Sequence, residues 1–191
     1  MEDKQLNEKE SLELIARMIQ NTQLKLEKGS GGIFLIWGYL TIFVSLLIWY
    51  LLSNFGNYQF HFLWFLIPLI GAPITRMFYR KHEKTVKTYI DKILAYVWTV
   101  IGFSGILVSI TAMFFWNIHI LFIIIILMGS GTAITGLIIR FKPIAIAGFV
   151  GLLLSLACLF TNGIDEILVF ALVFLIMMVI PGHILYAKGR K

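Results

Sequence analysis

Ionisable side chains are missing from the long apolar stretches of this chain. Six of them, roughly Ile33–Leu52, Phe60–Thr75, Ile93–Trp116, Ile118–Ile139, Pro143–Phe160 and Ile167–Tyr186, hold no Asp, Glu, Lys or Arg in their interiors. Intramembrane carboxylates and bases mark proton relays, transport pathways and membrane-embedded catalysts, so their absence argues against proton-coupled transport. Cysteine is nearly absent too. The lone Cys158 lies mid-stretch among Leu and Ala, which leaves no partner for a disulfide framework or a thiolate zinc site within one chain. Proline is scarce, and three of its four occurrences fall inside apolar stretches. Pro68 and Pro73, flanking Gly71, and Pro181 are expected to kink their helices, because proline removes a backbone donor and crowds the preceding turn. Pro143, directly after Arg140-Phe141-Lys142, suits the first turn of a helix.

What is present is hydrocarbon. With 59% hydrophobic and 14% charged residues in 191, most of the six stretches are long enough to cross a bilayer core of about 30 Å. The expected fold is all-α: a polytopic membrane protein of six transmembrane helices arranged as three hairpins. One membrane domain over residues 33–188 follows a polar arm and glycine-rich hinge at 1–32 and precedes a short tail at 189–191. The first 32 residues lack the apolar core of a secretory signal, so the first span is expected to act as an uncleaved anchor.

Charge sets the orientation. Eleven of the sixteen basic residues, Arg76, Arg80, Lys81, Lys84, Lys87, Lys92, Arg140, Lys142, Lys188, Arg190 and Lys191, border one side, and five more lie in Met1–Lys28. The opposite connections, Ser53–Tyr58, Asn117–His119 and Thr161–Glu166, hold no base and carry Asp165 and Glu166. The Lys/Arg excess of short cytoplasmic loops places both termini in the cytoplasm. The formal charge of +6 is therefore topogenic and lipid-facing. No base-stacking or groove-reading pattern accompanies it, and direct nucleic-acid binding is not expected.

The outward-running spans share a pattern: Gly38, Thr41 and Ser45; Gly102, Gly105 and Ser109; Gly148, Gly151 and Ser155. Positions i, i+3 and i+7 share a helix face, so each strip either packs a neighbouring helix closely or lines a pore. Returning spans echo one another in Gly71-Ala72-Pro73-Ile74-Thr75 with Arg80 and Gly131-Thr132-Ala133-Ile134-Thr135 with Arg140. Three hairpins, roughly Gly32–Lys81, Ile90–Lys142 and Pro143–Lys188, would then be related by internal threefold repetition. They lack the proline, acidic and basic signature that mitochondrial carriers show at their odd-helix ends.

Leu12, Ile15, Ile19, Thr22 and Leu26 recur every three or four residues, so Glu10–Lys28 is expected to form an amphipathic helix ended by Gly29-Ser30-Gly31-Gly32. Its charges lean acidic, with six acids against five bases in Met1–Lys28, whereas a helix lying on anionic lipid has a basic polar face. The stripe Leu12, Ile15, Ile19 and Leu26 is the candidate partner-binding surface, for a cytoplasmic protein or for self-association. The basic Arg76–Lys92 connection is placed to meet the arm's acids.

No catalytic or metal-binding constellation emerges. Ser130 with His183 faintly resembles the rhomboid protease pair, but Met128 stands where the rhomboid motif has glycine. The two residues also lie about 15 Å and 7.5 Å from the bases that end their spans, at 1.5 Å per residue. His61, His119, Asp165 and Glu166 come from outer turns without metal-ligand spacing. No cofactor is expected.

The run Glu13-Leu-Ile-Ala-Arg-Met-Ile-Gln-Asn-Thr, followed by Gly31-Gly-Ile-Phe-Leu-Ile-Trp-Gly-Tyr-Leu40, resembles a family of uncharacterised small six-helix inner-membrane proteins of Bacteroidota-type bacteria. That resemblance implies an inner-membrane location, brings no catalytic residues with it, and suggests a small winged-helix regulator as partner. The functional expectation is a non-enzymatic membrane protein with a sensing, regulatory or scaffolding role exerted through its arm and basic loop. The alternative is a small-solute channel or transporter subunit.

Overall fold

The computed structural model describes residues 8–82, 89–114, 119–161 and 163–188. All regular structure among them is helical. Helix α1 spans Glu8–Phe55, α2 Leu66–His82, α3 Tyr89–Phe114, α4 Ile120–Ile138, α5 Lys142–Leu154, α6 Ala157–Phe160, α7 Glu166–Phe174 and α8 Ile180–Lys188. A 3₁₀ stretch, Tyr58–Phe65, leads into α2, and a π-helical segment, Leu175–Val179, joins α7 to α8. Six segments are long and apolar enough to cross a membrane: Gly31–Phe55, Tyr58–Met77, Tyr89–Ala112, Ile120–Ile138, Lys142–Phe160 and Gly163–Lys188. The chain is a multi-pass helical membrane protein, with span limits close to those read from hydropathy.

The arm differs from expectation. Gly29-Ser30-Gly31-Gly32 does not end a helix, because α1 runs through it unbroken. Glycine costs about 1 kcal/mol in a helix interior, so the run needs a reason, and packing supplies it. A Cβ on Gly31 would lie 2.8 Å from the Tyr186 backbone nitrogen; bare glycine lets α1 and α8 close on each other where the bundle begins.

The principal helix pairs are α4 with α5, and α1 with α7, the π segment and α8. Both join spans that the expected hairpins had kept apart. Between α4 and α5 small residues interdigitate: a Cβ on Gly136 would strike the Ala145 backbone, and one on Gly148 the Ala133 backbone. Their link is a Schellman turn, in which Phe141 N–H bonds the Gly136 carbonyl at 2.9 Å and Arg140 N–H bonds that of Leu137 at 3.2 Å. Arg140 sits at the left-handed position with φ 55°, where glycine is usual.

The sixth span is the hub, with 56% of an 18-residue apolar stretch buried, against 6% in the second span and 17% in the third. Ile48, Ile125, Ile144, Met177 and Leu185 are fully enclosed. The second and third spans flank the bundle and present apolar side chains such as Leu69, Met77, Val100 and Phe103 outward. Lipid tails are as apolar as these side chains and satisfy such faces.

Of the expected proline kinks, Pro181 coincides with an irregularity. Ile180 N–H reaches back to the Leu175 carbonyl in π register, immediately before a residue that cannot donate. Met177, Met178 and Val179 are consecutively buried, because the wider turn faces two neighbours at once. Pro73 lies inside α2 without interrupting it.

Candidate functional site

Two matching hydrogen bonds organise the end of the bundle that carries the basic residues. The Trp37 indole N–H donates to the Thr75 hydroxyl at 2.9 Å, joining α1 to α2. The Trp98 indole N–H donates to the Thr135 hydroxyl at 3.1 Å, joining α3 to α4. In each pair a glycine stands four residues before the threonine, with different neighbours. A Cβ on Gly71 would come within 2.9 Å of the Trp37 ring, whereas one on Gly131 would strike Ile101 Cδ1 and lie in ordinary contact, 3.5 Å, with the Trp98 ring. Thr135 also donates to the Gly131 carbonyl at 2.7 Å, so its oxygen is turned towards the incoming indole. With no water in the hydrocarbon, each clamp satisfies an indole donor that lipid cannot.

The clamps meet at α1. Phe34, one turn before Trp37, is buried and packs edge-on against Trp98, with ring centroids 6.1 Å apart. Thus Phe34 and Trp37, at the base of the long helix, touch both flanking spans. Those spans bury little else, so the clamps are a large part of what fixes them. Nearby, Tyr39 and His183 share a 2.7 Å hydrogen bond on an exposed face between the first and sixth spans, and Lys188 Nζ lies 5.2 Å from the Phe141 ring centre.

The nine small-strip residues do not share one environment. Gly38 packs on Met178 and Val179, Gly148 on Ala133, and Gly151 on Met177. Thr41, Ser45 and Ser155 are buried. Ser45 donates to the Thr41 carbonyl at 2.7 Å and Ser155 to that of Leu152 at 2.6 Å. Among the described residues Gly102, by contrast, has nothing within 4 Å of where its Cβ would be, and Gly105 meets only Ile124 at 3.8 Å; the Ser109 hydroxyl returns to the Gly105 carbonyl. Two strips therefore seat helices, while the third lies on the flank.

In the arm, Leu12 is exposed. The side chains of Ile15, Ile19 and Leu26 lie outside the described residues. Among the described residues no group of three or more His, Cys, Asp or Glu side chains gathers in metal-binding range.

No family model matches this chain, and neither a curated protein nor a solved structure does.

The clamps were the feature that sequence reading passed over. Their signal was available: tryptophan and threonine separated by 38 and 37 residues, each threonine preceded by Gly-x-x-x.

Proposed function

We propose that this chain is a non-enzymatic regulatory or scaffolding protein of the bacterial inner membrane, with both termini cytoplasmic. Its arm engages a cytoplasmic protein, and the arm's position is passed to the flanking spans. The observation that carries this reading is the unbroken helix Glu8–Phe55. Its portion before Gly31 extends about 35 Å at 1.5 Å per residue, and most helical stability in proteins comes from packing of an amphipathic face rather than from propensity. A covering partner is the natural complement of its Leu12, Ile15, Ile19 and Leu26 stripe. The acid-leaning arm and the resemblance of its sequence make a small basic winged-helix regulator the first partner to test.

Rigidity gives the arm a consequence in the membrane. A tilt imposed on it pivots α1 near Gly31, and Phe34 and Trp37 bear on α3 and α2. Those two spans bound the basic connection, so a partner that binds the arm also acts on the loop beside it. The paired clamps favour duplication of the first two hairpins alone, since the third contains no tryptophan. The channel alternative relied on the small strips as pore walls. Gly148 and Gly151 are filled by Ala133 and Met177, which weighs against it.

The test is affinity capture with the full chain and with Met1–Lys28 removed. Loss of one specific cytosolic protein on truncation supports the proposal. Unchanged partners, together with solute flux in liposomes, support the channel.

A further inference from the structure

Thr132 is completely buried, yet its hydroxyl has no hydrogen-bond partner among the described residues. A helical threonine ordinarily returns its hydroxyl to the carbonyl one turn back, as Thr111 does to Leu107. On α4, Gly129, Ala133 and Gly136 face α5, whereas Gly131 and Thr135 face α3. Thr132 projects between these two faces, in line with the buried Leu121 and Ile125, on the side where α4 meets α7 and the π segment.

Depth brings it to the opened turn. Gly148 lies level with Ala133, and Gly151 level with Met177. Three residues of α5 separate these levels, about 4.5 Å, so Thr132 and Met177 lie within one turn of each other in depth, on elements that are in contact. There the sixth span has lost its regular ladder: Ile180 bonds Leu175 in π register, and Pro181 has no N–H to offer the Met177 carbonyl. From the other side, α1 lays Gly38 on Met178 and Val179, with buried Thr41 one turn further along the same face.

We infer that Thr132 and the opened turn of the sixth span hold one buried water molecule, bridging the Thr132 hydroxyl and the Met177 carbonyl within reach of Thr41. Hydroxyls and a carbonyl without any ionisable group suit a neutral molecule that both donates and accepts. A buried water makes about three such bonds, whereas a naked cation requires more oxygens. The bridge replaces the bond that proline removes, and gives the hub helix a hinge at the depth where the first, fourth and fifth spans pack on it.

The test is thermal unfolding of the full chain in nanodiscs, comparing wild type, Thr132→Val and Thr132→Ser in sodium, potassium and choline buffers. A bridging water predicts that Thr132→Val lowers Tm by about 3 °C or more, that Thr132→Ser stays near wild type, and that the cation is immaterial. A rise or no change with Thr132→Val means an orphaned hydroxyl and overturns the inference. A sodium-specific shift lost in that variant means a cation and overturns it equally. An experimental map showing ordered waters decides independently of any variant: density between Thr132 Oγ1 and the Met177 oxygen is expected, and its absence refutes the site.

Discussion

Trp37 and Thr75 stand 38 positions apart and are joined by a 2.9 Å hydrogen bond between indole and hydroxyl; Trp98 and Thr135 repeat the relationship at 37 positions and 3.1 Å. Each bond ties a sparsely buried flanking span to a central one. Trp37→Phe with Thr75→Val, and Trp98→Phe with Thr135→Val, therefore form two double-mutant cycles. Interhelical hydrogen bonds in membranes average well under their value in vacuum, so each coupling should be about 0.5–1.5 kcal/mol. Reversible unfolding in bicelles measures it. Additivity between the cycles to within about 0.5 kcal/mol is expected if the clamps hold separate spans.

Glycines with identical positions in the sequence pattern should respond differently to alanine. Gly148→Ala drives a methyl into the Ala133 backbone, and neither backbone can yield without parting α4 from α5. A loss of about 2 kcal/mol or more is expected. Gly102 has open space around its missing Cβ, so Gly102→Ala should lie within about 0.5 kcal/mol of wild type, on the stabilising side. Thermal unfolding of the two variants side by side checks the contrast.

Arg140 holds the left-handed position of the α4–α5 turn with φ 55°. A side chain there costs about 1 kcal/mol that glycine does not incur, so Arg140→Gly should stabilise the protein by about 0.5–1 kcal/mol. Lys142 keeps a basic charge beside it. Chemical denaturation of wild type and variant gives the difference, and a loss of stability would mean that the guanidinium makes a contact worth more than the strain.

Orientation rests on charge. With Cys158 replaced by Ala, single cysteines at Asn57 and Asp165, both exposed, should react with a membrane-impermeant thiol reagent on intact cells. Labelling only after lysis would reverse the assignment of the two sides.

The six spans were legible because hydropathy over some twenty residues is set by lipid thickness, not by neighbours. Gly29–Gly32 misled for the opposite reason: glycine breaks helices in water but in membranes also admits a close neighbour, and only Tyr186 lying against Gly31 distinguishes the two. The pairing of α4 with α5 was likewise hidden, since Gly136, Ala145 and Gly148 carry too little chemistry to name their partners. Aligning outward spans on Gly38 and Gly102 placed them 64 residues apart, whereas the clamps place Trp37 and Trp98 61 apart, close to the 60 that separate Gly71 from Gly131. Large residues with one polar atom fix register better than small ones. The π segment left no mark beyond Pro181, because its cause is the pair of neighbours packed on it.

Coupling of the arm to the flanking spans depends on α1 being one rigid rod from arm to far membrane face. Spin labels at Leu12 and Ser53 of the full chain in nanodiscs, read by pulsed electron paramagnetic resonance, test this directly. At 1.5 Å per residue an unbroken helix puts them about 60 Å apart, with a narrow distribution. A broad distribution centred well below that distance would mean a joint at Gly29–Gly32, and the arm would have no lever on Phe34 and Trp37.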